Sequence, residues 1–260
     1  MTRTTSPVAG TVTEAVFGDA HERGDRPALI DLGAGRMYGY RDLADEVWRA
    51  ASGLVRRGAR LGQVAAVRVS SLAVQTVVVH AVIAAGGVAA SVPPGTGGEE
   101  AARLLTGWDA RLLFTTPDLA ESAVAAAEGS RVRQVICRGP ARDTLDFGEL
   151  LALDPTPLPV LDPAAPALLS ADGARLTHHD LLGRIREVDA VAGLETSDVV
   201  LVAVPAGDGA ATTDLVALAL MRGALVVAAP GMSGPELAGG VHDFGVTVAA
   251  LTDGSITRSF

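Results

Sequence analysis

Few residue types in this chain can do chemistry, and they are scattered. There is no lysine and no asparagine, so all 21 basic residues are arginine and no side-chain amine is available. His178 and His179 are adjacent. Neighbours on a helix point about 100° apart, so these two cannot face one site. His80 lies in an apolar run and reads as a core or boundary histidine, and no Cys/His cluster, His242 included, has zinc spacing. The single cysteine, Cys137, cannot form an internal disulfide and reads as a buried strand residue. Ser170 and Ser233 lack nucleophile-elbow surroundings, and no Ser/His/Asp arrangement follows from spacing.

Two glycine-bearing segments could hold a cofactor. Ala28–Leu32 followed by Gly33-Ala34-Gly35 has the look of a dinucleotide or methyltransferase strand and turn. Such sites need a further glycine, replaced here by Arg36-Met37, and an acidic residue ending the next strand. That strand ends Val67-Arg68-Val69-Ser70. The segment therefore reads as a turn between two short strands. The second is Ser170-Ala171-Asp172-Gly173. A phosphate loop needs several free backbone N–H groups and a cation. This loop is short and carries a carboxylate. At ~4 Å and an effective dielectric of about 20, Asp172 would repel each phosphate charge by roughly 4 kcal/mol, which favours a plain turn.

The elements that must position these residues alternate in type. Strands are expected at 28–32, 64–69, 88–92, 111–115 and 132–137, with helices at 42–55, 72–85, 99–106 and 117–127. Pro117 suits a first helical turn, where its missing N–H costs little. A proline-rich stretch then breaks the alternation, which resumes with strands at 167–170, 199–204, 224–229 and 246–251 and helices at 178–191, 212–222 and 235–243. Thr177 can cap the helix at 178, with Asp180 completing a capping box. The expected fold is α/β, two similar sandwich lobes with mostly parallel sheets. The first lobe is placed at 1–152, an extended Pro-rich connector at 153–166 and the second lobe at 167–260. Gly87/Gly223, Pro94/Pro230 and Glu100/Glu236 share one offset, which suggests one α/β unit carried twice.

Composition excludes some partners. The net charge is −9 and there is no basic stripe, so nucleic acid is not an expected partner. An acidic surface also binds anionic membranes poorly. Leu72–Val92 is apolar enough to raise a membrane span, but Gly86-Gly87 splits it, so it reads as a buried helix, a turn and a strand. With no signal segment at the N-terminus, a cytoplasmic protein is expected.

Several segments follow one another in a fixed order: Pro27–Ile30, Met37-Tyr38-Gly39-Tyr40-Arg41-Asp42-Leu43, Gly58–Ala65, Ser70-Ser71 followed by Ala84–Val88 and Val92-Pro93-Pro94, Arg175–Leu182, Asp198–Leu201, Gly223–Val227 and Phe244–Thr247. In these segments, over most of its length, the chain resembles the front half of the adenylate-forming superfamily, which includes acyl-CoA synthetases, nonribosomal peptide synthetase adenylation domains and luciferases. The resemblance implies paired α/β sandwich lobes. The departures concern ATP chemistry. The family's phosphate loop ends Pro-Lys-Gly; if Gly173 is that glycine, Asp172 replaces the lysine and the Ser/Thr/Gly stretch is nearly gone. The histidine of the family's pocket motif falls on Asp208, in Pro205-Ala206-Gly207-Asp208. The later nucleotide and magnesium motifs, and the catalytic lysine, find no counterpart here.

The expected ligand cleft is therefore bounded by Ser170, Asp172, Gly173, Arg175 and Thr177 from the shortened loop, and by Pro205, Asp208 and Gly209 from the pocket motif. The expectation is a catalytically silent remnant that uses neither ATP nor magnesium, binds no metal, and works as a binding or assembly partner. A homodimer or another protein partner is expected, with an acyl or CoA-type small molecule as a candidate ligand. Two alternatives stand beside it. One is a repurposed enzyme acting on an acyl or aryl acid or thioester between the lobes. The other is one half of an adenylate-forming ligase completed by another chain.

Overall fold

The computed structural model describes residues 10–170, 172–207, 210–232, 239, 241–250 and 256–258. Two short helices open it, α1 (Val12–Phe17) and α2 (Ala20–Arg23). In α1 a capping box joins Thr11 and Glu14. Strand β1 (Pro27–Asp31) turns through Gly35 and returns as β2 (Arg36–Gly39), the turn-linked strand pair expected from sequence.

Helix α3 (Tyr40–Arg56) buries Leu43, Val47, Ala50, Ala51 and Leu54, the apolar stripe its spacing predicts. Strand β3 (Val64–Arg68) follows, then α4 (Leu72–Ala84), started by Ser71 Oγ accepting from Val74 N at 3.2 Å. Every residue of α4 is buried. A helix apolar all round needs cover on all sides, and α4 finds it against α1, α3, β1, β3 and β4 (Val88–Ser91). The run that could have suggested a membrane span is thus a core helix, and no helix among the described residues is long and apolar enough to cross a membrane.

The chain continues through α5 (Gly98–Gly107), β5 (Leu112–Thr115), a single 3-10 turn beginning at Pro117, α6 (Ala120–Glu128), β6 (Gln134–Cys137), β7 (Leu145–Asp146) and α7 (Phe147–Leu151). Residues 154–162 have no regular structure, as their prolines require. Then come β8 (Pro166–Leu169), β9 (Arg175–Thr177), α8 (His178–Ala192), β10 (Val199–Val202), α9 (Ala210–Arg222), β11 (Leu225–Ala228), β12 (Val248–Ala250) and β13 (Ile256–Arg258). Most of the helix expected at 235–243 lies outside the described residues, with Ser233 and Glu236.

Two mostly parallel sheets result. One runs β7-β6-β5-β3-β4-β8-β9 and the other β13-β12-β10-β11-β1-β2, with β2, β9 and β13 antiparallel to their neighbours. Strands β3 and β10 hold equivalent central places, as the repeat predicts. Sheet membership, however, does not follow the expected division at 153–166. The β1–β2 pair joins the sheet of β10 and β11, with Leu29 opposite Val226, and β8–β9 joins the sheet of β3 and β4, with Leu168 opposite Ala89. Each unit lends its opening hairpin to the other. Local patterning fixes which residues form strands, and says nothing about which distant edge they pair with.

The repeat register also needs correction. Gly86 and Gly223 both have left-handed φ, 82° and 79°. Gly86 N donates to Ile83 O and Gly87 N to Val82 O; Gly223 N donates to Leu220 O and Ala224 N to Ala219 O. The helix-ending glycines that correspond are therefore Gly86 and Gly223, and Gly87 corresponds to Ala224.

The apolar runs 199–204, 215–220 and 225–229, which could have called for a partner protein, are covered within the chain. Val200, Leu201 and Val202 are at most 1% exposed, as are Leu215, Leu218 and Leu220. Helix α9 packs on α1, α8, β10 and β11, while Val241, Phe244 and Met232 lie against Leu201 and Val227 on the other face of the sheet.

Candidate functional site

The carboxyl ends of parallel strands are where α/β folds place ligands, because the loops there diverge around a crevice. Both sheets contribute to one such crevice, a cleft of about 650 Å3. Its walls come from the ends of β1 (Asp31), β3 (Ser70, Ser71), β4 (Pro94), β5 (Thr116, Asp118), β6 (Arg138), β10 (Pro205) and β11 (Pro230). Arg36 and Tyr38 of β2 complete it.

Hydroxyls and the carboxylates of Asp31 and Asp118 form its floor. Ser70 Oγ lies 3.0 Å from Thr116 Oγ1 and donates to Asp118 Oδ1 at 3.0 Å. Ser70 N donates to Thr116 Oγ1 at 3.2 Å. Asp31, 1% exposed, accepts from Ser71 Oγ, Ala34 N and Ala73 N. Arg138 is held by an ion pair to Glu46 and by the Phe147 ring, 4.9 Å from its guanidinium carbon. Burial raises the Glu46 carboxyl above its usual range, against the pull of Arg138. Arg36 sits over the Tyr38 ring at 5.0 Å, and no carboxylate lies within ion-pair distance of it among the described residues. The described lining holds no histidine or cysteine; it offers hydroxyls, two guanidinium groups and the Asp31 and Asp118 carboxylates, and Ser70 Oγ on Asp118 is a hydroxyl–carboxylate pair facing the cleft from the loops after β3 and β5. Beside it Arg68, 4% exposed, donates only to neutral acceptors, Ser122 Oγ and the Pro94 and Thr96 carbonyls, and so fixes the loop after β4.

Of the residues expected from sequence, Pro205 lines this cleft. Asp208 and Gly209 lie outside the described residues. Ser170, Asp172 and Gly173 form the β8–β9 turn, which closes on itself. Ser170 N donates to Ala174 O at 2.9 Å, Gly173 N to Ser170 O at 2.9 Å and Ala174 N to Asp172 Oδ1 at 3.2 Å. Ser170 Oγ also donates to Asp172 Oδ1, and this bond, first among the causes, holds the Asp172 carboxyl below its usual range. Three of the N–H groups a phosphate would need are thus spent within the turn, beside a fixed negative charge. The turn does not fit a triphosphate. Thr177 caps α8, with Asp180 N donating to Thr177 Oγ1 at 3.1 Å and Thr177 N to Asp180 Oδ2 at 2.9 Å, the expected capping box. Arg175 is exposed and lines a different cavity.

The isolated groups behave as their patterning implies. His178 is buried while His179 and His242 are exposed. Cys137 is fully buried, and burial pushes its thiol up to about 11, which leaves it unreactive. No group of three or more metal-ligating side chains occurs among the described residues.

The model of the AMP-binding enzyme family matches residues 16–254. The chain belongs to the AMP-binding enzyme family. Its fold is similar to a long-chain-fatty-acid-CoA ligase from Archaeoglobus fulgidus (18% identity, TM-score 0.82, 94% of this chain and 52% of that one). A putative long-chain-fatty-acid CoA ligase from Rhodopseudomonas palustris is similar at 21% identity and TM-score 0.83, over 93% of this chain and 63% of that one. MbtA of Mycobacterium smegmatis shares 28% identity with a TM-score of 0.77, over 93% of this chain and 48% of that one. The chain thus spans about half to three-fifths of these structures. No curated protein sequence matches it. The fold is that of the N-terminal domain of acyl-CoA ligases.

Asp31, Arg36, Ser70, Ser71, Thr116 and Arg138 were not among the sequence candidates. A signal for several of them was present. Asp31, Ser70 and Arg138 each stand at or just beyond the carboxyl end of a strand the sequence does predict, where a parallel sheet opens its crevice.

Proposed function

We propose that this family member does not adenylate, and acts as a binding or assembly partner that retains the ligand cleft between its sheets. The observation that carries the reading is the self-satisfied β8–β9 turn. Where the family resemblance puts a phosphate loop, the N–H groups of Ser170, Gly173 and Ala174 are occupied and Asp172 contributes a carboxylate. ATP and magnesium have no evident cradle in that turn. The cleft at the carboxyl ends of the strands suits an acyl or CoA-type small molecule, whose anionic end Arg36 and Arg138 would hold. Because the chain's own elements cover its apolar strands, a second copy or another protein would be recruited through surface groups or ligand. The proposed setting is the cytoplasm.

The test is ATP–pyrophosphate exchange by the purified chain with a panel of carboxylic acids, beside thermal shift with ATP, AMP, CoA and acyl thioesters. No exchange, with stabilisation by a thioester or CoA, is the expected result. Magnesium-dependent exchange above background overturns it. The floor of Ser70, Thr116 and Asp118 supports a second reading, chemistry on a thioester without ATP, which turnover of a thioester by the isolated chain would favour.

A further inference from the structure

The opposite edge of the seven-stranded sheet carries a second cavity, of about 640 Å3. Val64, Leu112 and Gln134, at the starts of β3, β5 and β6, line it. The same strands reach the cleft at their far ends, so the two sites are separated by the length of a strand, roughly 15 Å at about 3.3 Å per residue. The cavity has a different character from the cleft. Arg57, Arg60, Arg111, Arg133 and Arg175 line it, and Asp109 is the one carboxylate in its lining.

This gathering of cations is unusual in a chain of net charge −9. Arg111 pairs with Asp109 at 2.9 Å and Arg57 with Glu149 at 3.8 Å. Among the described residues no carboxylate lies within 4.0 Å of Arg60, Arg133 or Arg175, and their guanidinium groups make no hydrogen bond. Asp109 adopts a left-handed φ of 53°. In that conformation its carboxylate accepts from both Arg111 and Arg131, which fixes Arg111 at the cavity wall. Trp108 supplies a flat, half-buried side.

We propose that this cavity binds a small molecule bearing two or more phosphoryl groups. Guanidinium forks match phosphoryl oxygens two at a time. Like charges facing one cavity repel each other, and a polyanion between them reverses the sign of that interaction. The volume falls in the small-molecule range of about 300–1,000 Å3. A nucleic acid backbone fits less well, since the charges line a concavity and form no stripe along the surface. A free diphosphate and the diphosphate of a nucleotide share this chemistry; Trp108 could stack only the base of the second.

The test is isothermal titration at low salt with inorganic pyrophosphate and with ADP, on the wild-type chain, on R60S/R133S, and on R142S/R186S. The last pair removes the same charge from exposed sites outside the cavity. Expected is binding that weakens at least tenfold in R60S/R133S and holds in R142S/R186S. Tighter binding of ADP than pyrophosphate assigns the ligand as a nucleotide, and equal binding assigns it as a free diphosphate. No binding at millimolar concentration, or equal binding by R60S/R133S, overturns the proposal. Exchange activity plays no part in this readout, so its outcome is separable from that of the adenylation assay.

Discussion

Ser71 Oγ donates to Asp31 Oδ2 at 2.6 Å, so the residue that caps α4 also grips the end of a strand in the other sheet. Two oxygens of one buried carboxylate thereby hold a turn, a cap and a sheet-to-sheet joint at the mouth of the cleft.

Replacing either partner should be costly and the costs should not add. S71A loses a cap and a charge-assisted hydrogen bond, about 1–2 kcal/mol. D31A leaves Ser71 Oγ and Ala34 N without their acceptor, about 3 kcal/mol. The double variant is expected to cost clearly less than the sum. Urea unfolding of the four proteins at pH 7 measures this, and strict additivity would count against the joint.

Acid should destabilise the fold through His80. Its ring meets Phe17 edge-on at 5.0 Å and Thr13 Oγ1 at 3.2 Å, with His178 nearby. Burial, helped by the His178 charge, lowers its pKa to about 3. Unfolded, the ring takes a proton near the ordinary value of about 6.5. The unfolded state then binds more protons between these values, so stability falls as pH drops from 6.5 towards 3. The slope approaches about 1.4 kcal/mol per pH unit, or about 2 kcal/mol lost by pH 5. Burial shifts His178 in the same direction. Denaturation midpoints from pH 7 to 4 should fall less steeply in H80Q; parallel curves would contradict the assignment.

Asp214 on α9 is 6% exposed and accepts from Arg184 Nε at 2.9 Å and Nη2 at 2.6 Å. Burial raises its carboxyl above the usual range although Arg184 pulls it down. Removing the cation alone, as in R184M, should cost about 3 kcal/mol, because a buried carboxylate loses its partner. R184M/D214L should recover most of that loss. A double variant as unstable as R184M would show that the cost lies in packing.

The sequence made the elements and their order legible, because burial leaves a period in the apolar residues. Leu43, Val47 and Leu54 announce α3, and Val64–Val69 announces β3. Short pieces such as α7 and β9 carry too few residues for a period to register. The cleft was legible only at Pro205, since the candidates came from motifs and the walls are built by loops. Arg138, Asp31 and Ser70 meet there because distant strands share an edge, a relation no local pattern encodes.

Gly53 and Gly183 provide a contrast within helices. A Cβ on Gly53 would stand 2.4 Å from the Leu150 carbonyl oxygen, a backbone atom of α7, while one on Gly183 meets nothing within 4 Å. G53A should therefore destabilise by about 2–3 kcal/mol through forced separation of α3 and α7. G183A should stabilise by about 0.5–1 kcal/mol through helix propensity. Thermal melts of the two variants should move in opposite directions.

The reciprocal loan of hairpins turns the two sheets into a single cooperative lock. Tyr40 Oη reaches the Ala224 carbonyl, 184 residues away, at 2.7 Å, and Arg23 holds the Leu220 carbonyl across 197. The first sheet cannot finish until β8 and β9 have left the second unit, and the second cannot finish until β1 and β2 are already waiting. Such long-range closure slows folding. It also means that a protease cutting within 154–162 would leave two fragments still clasped, each holding a strand pair that completes the other.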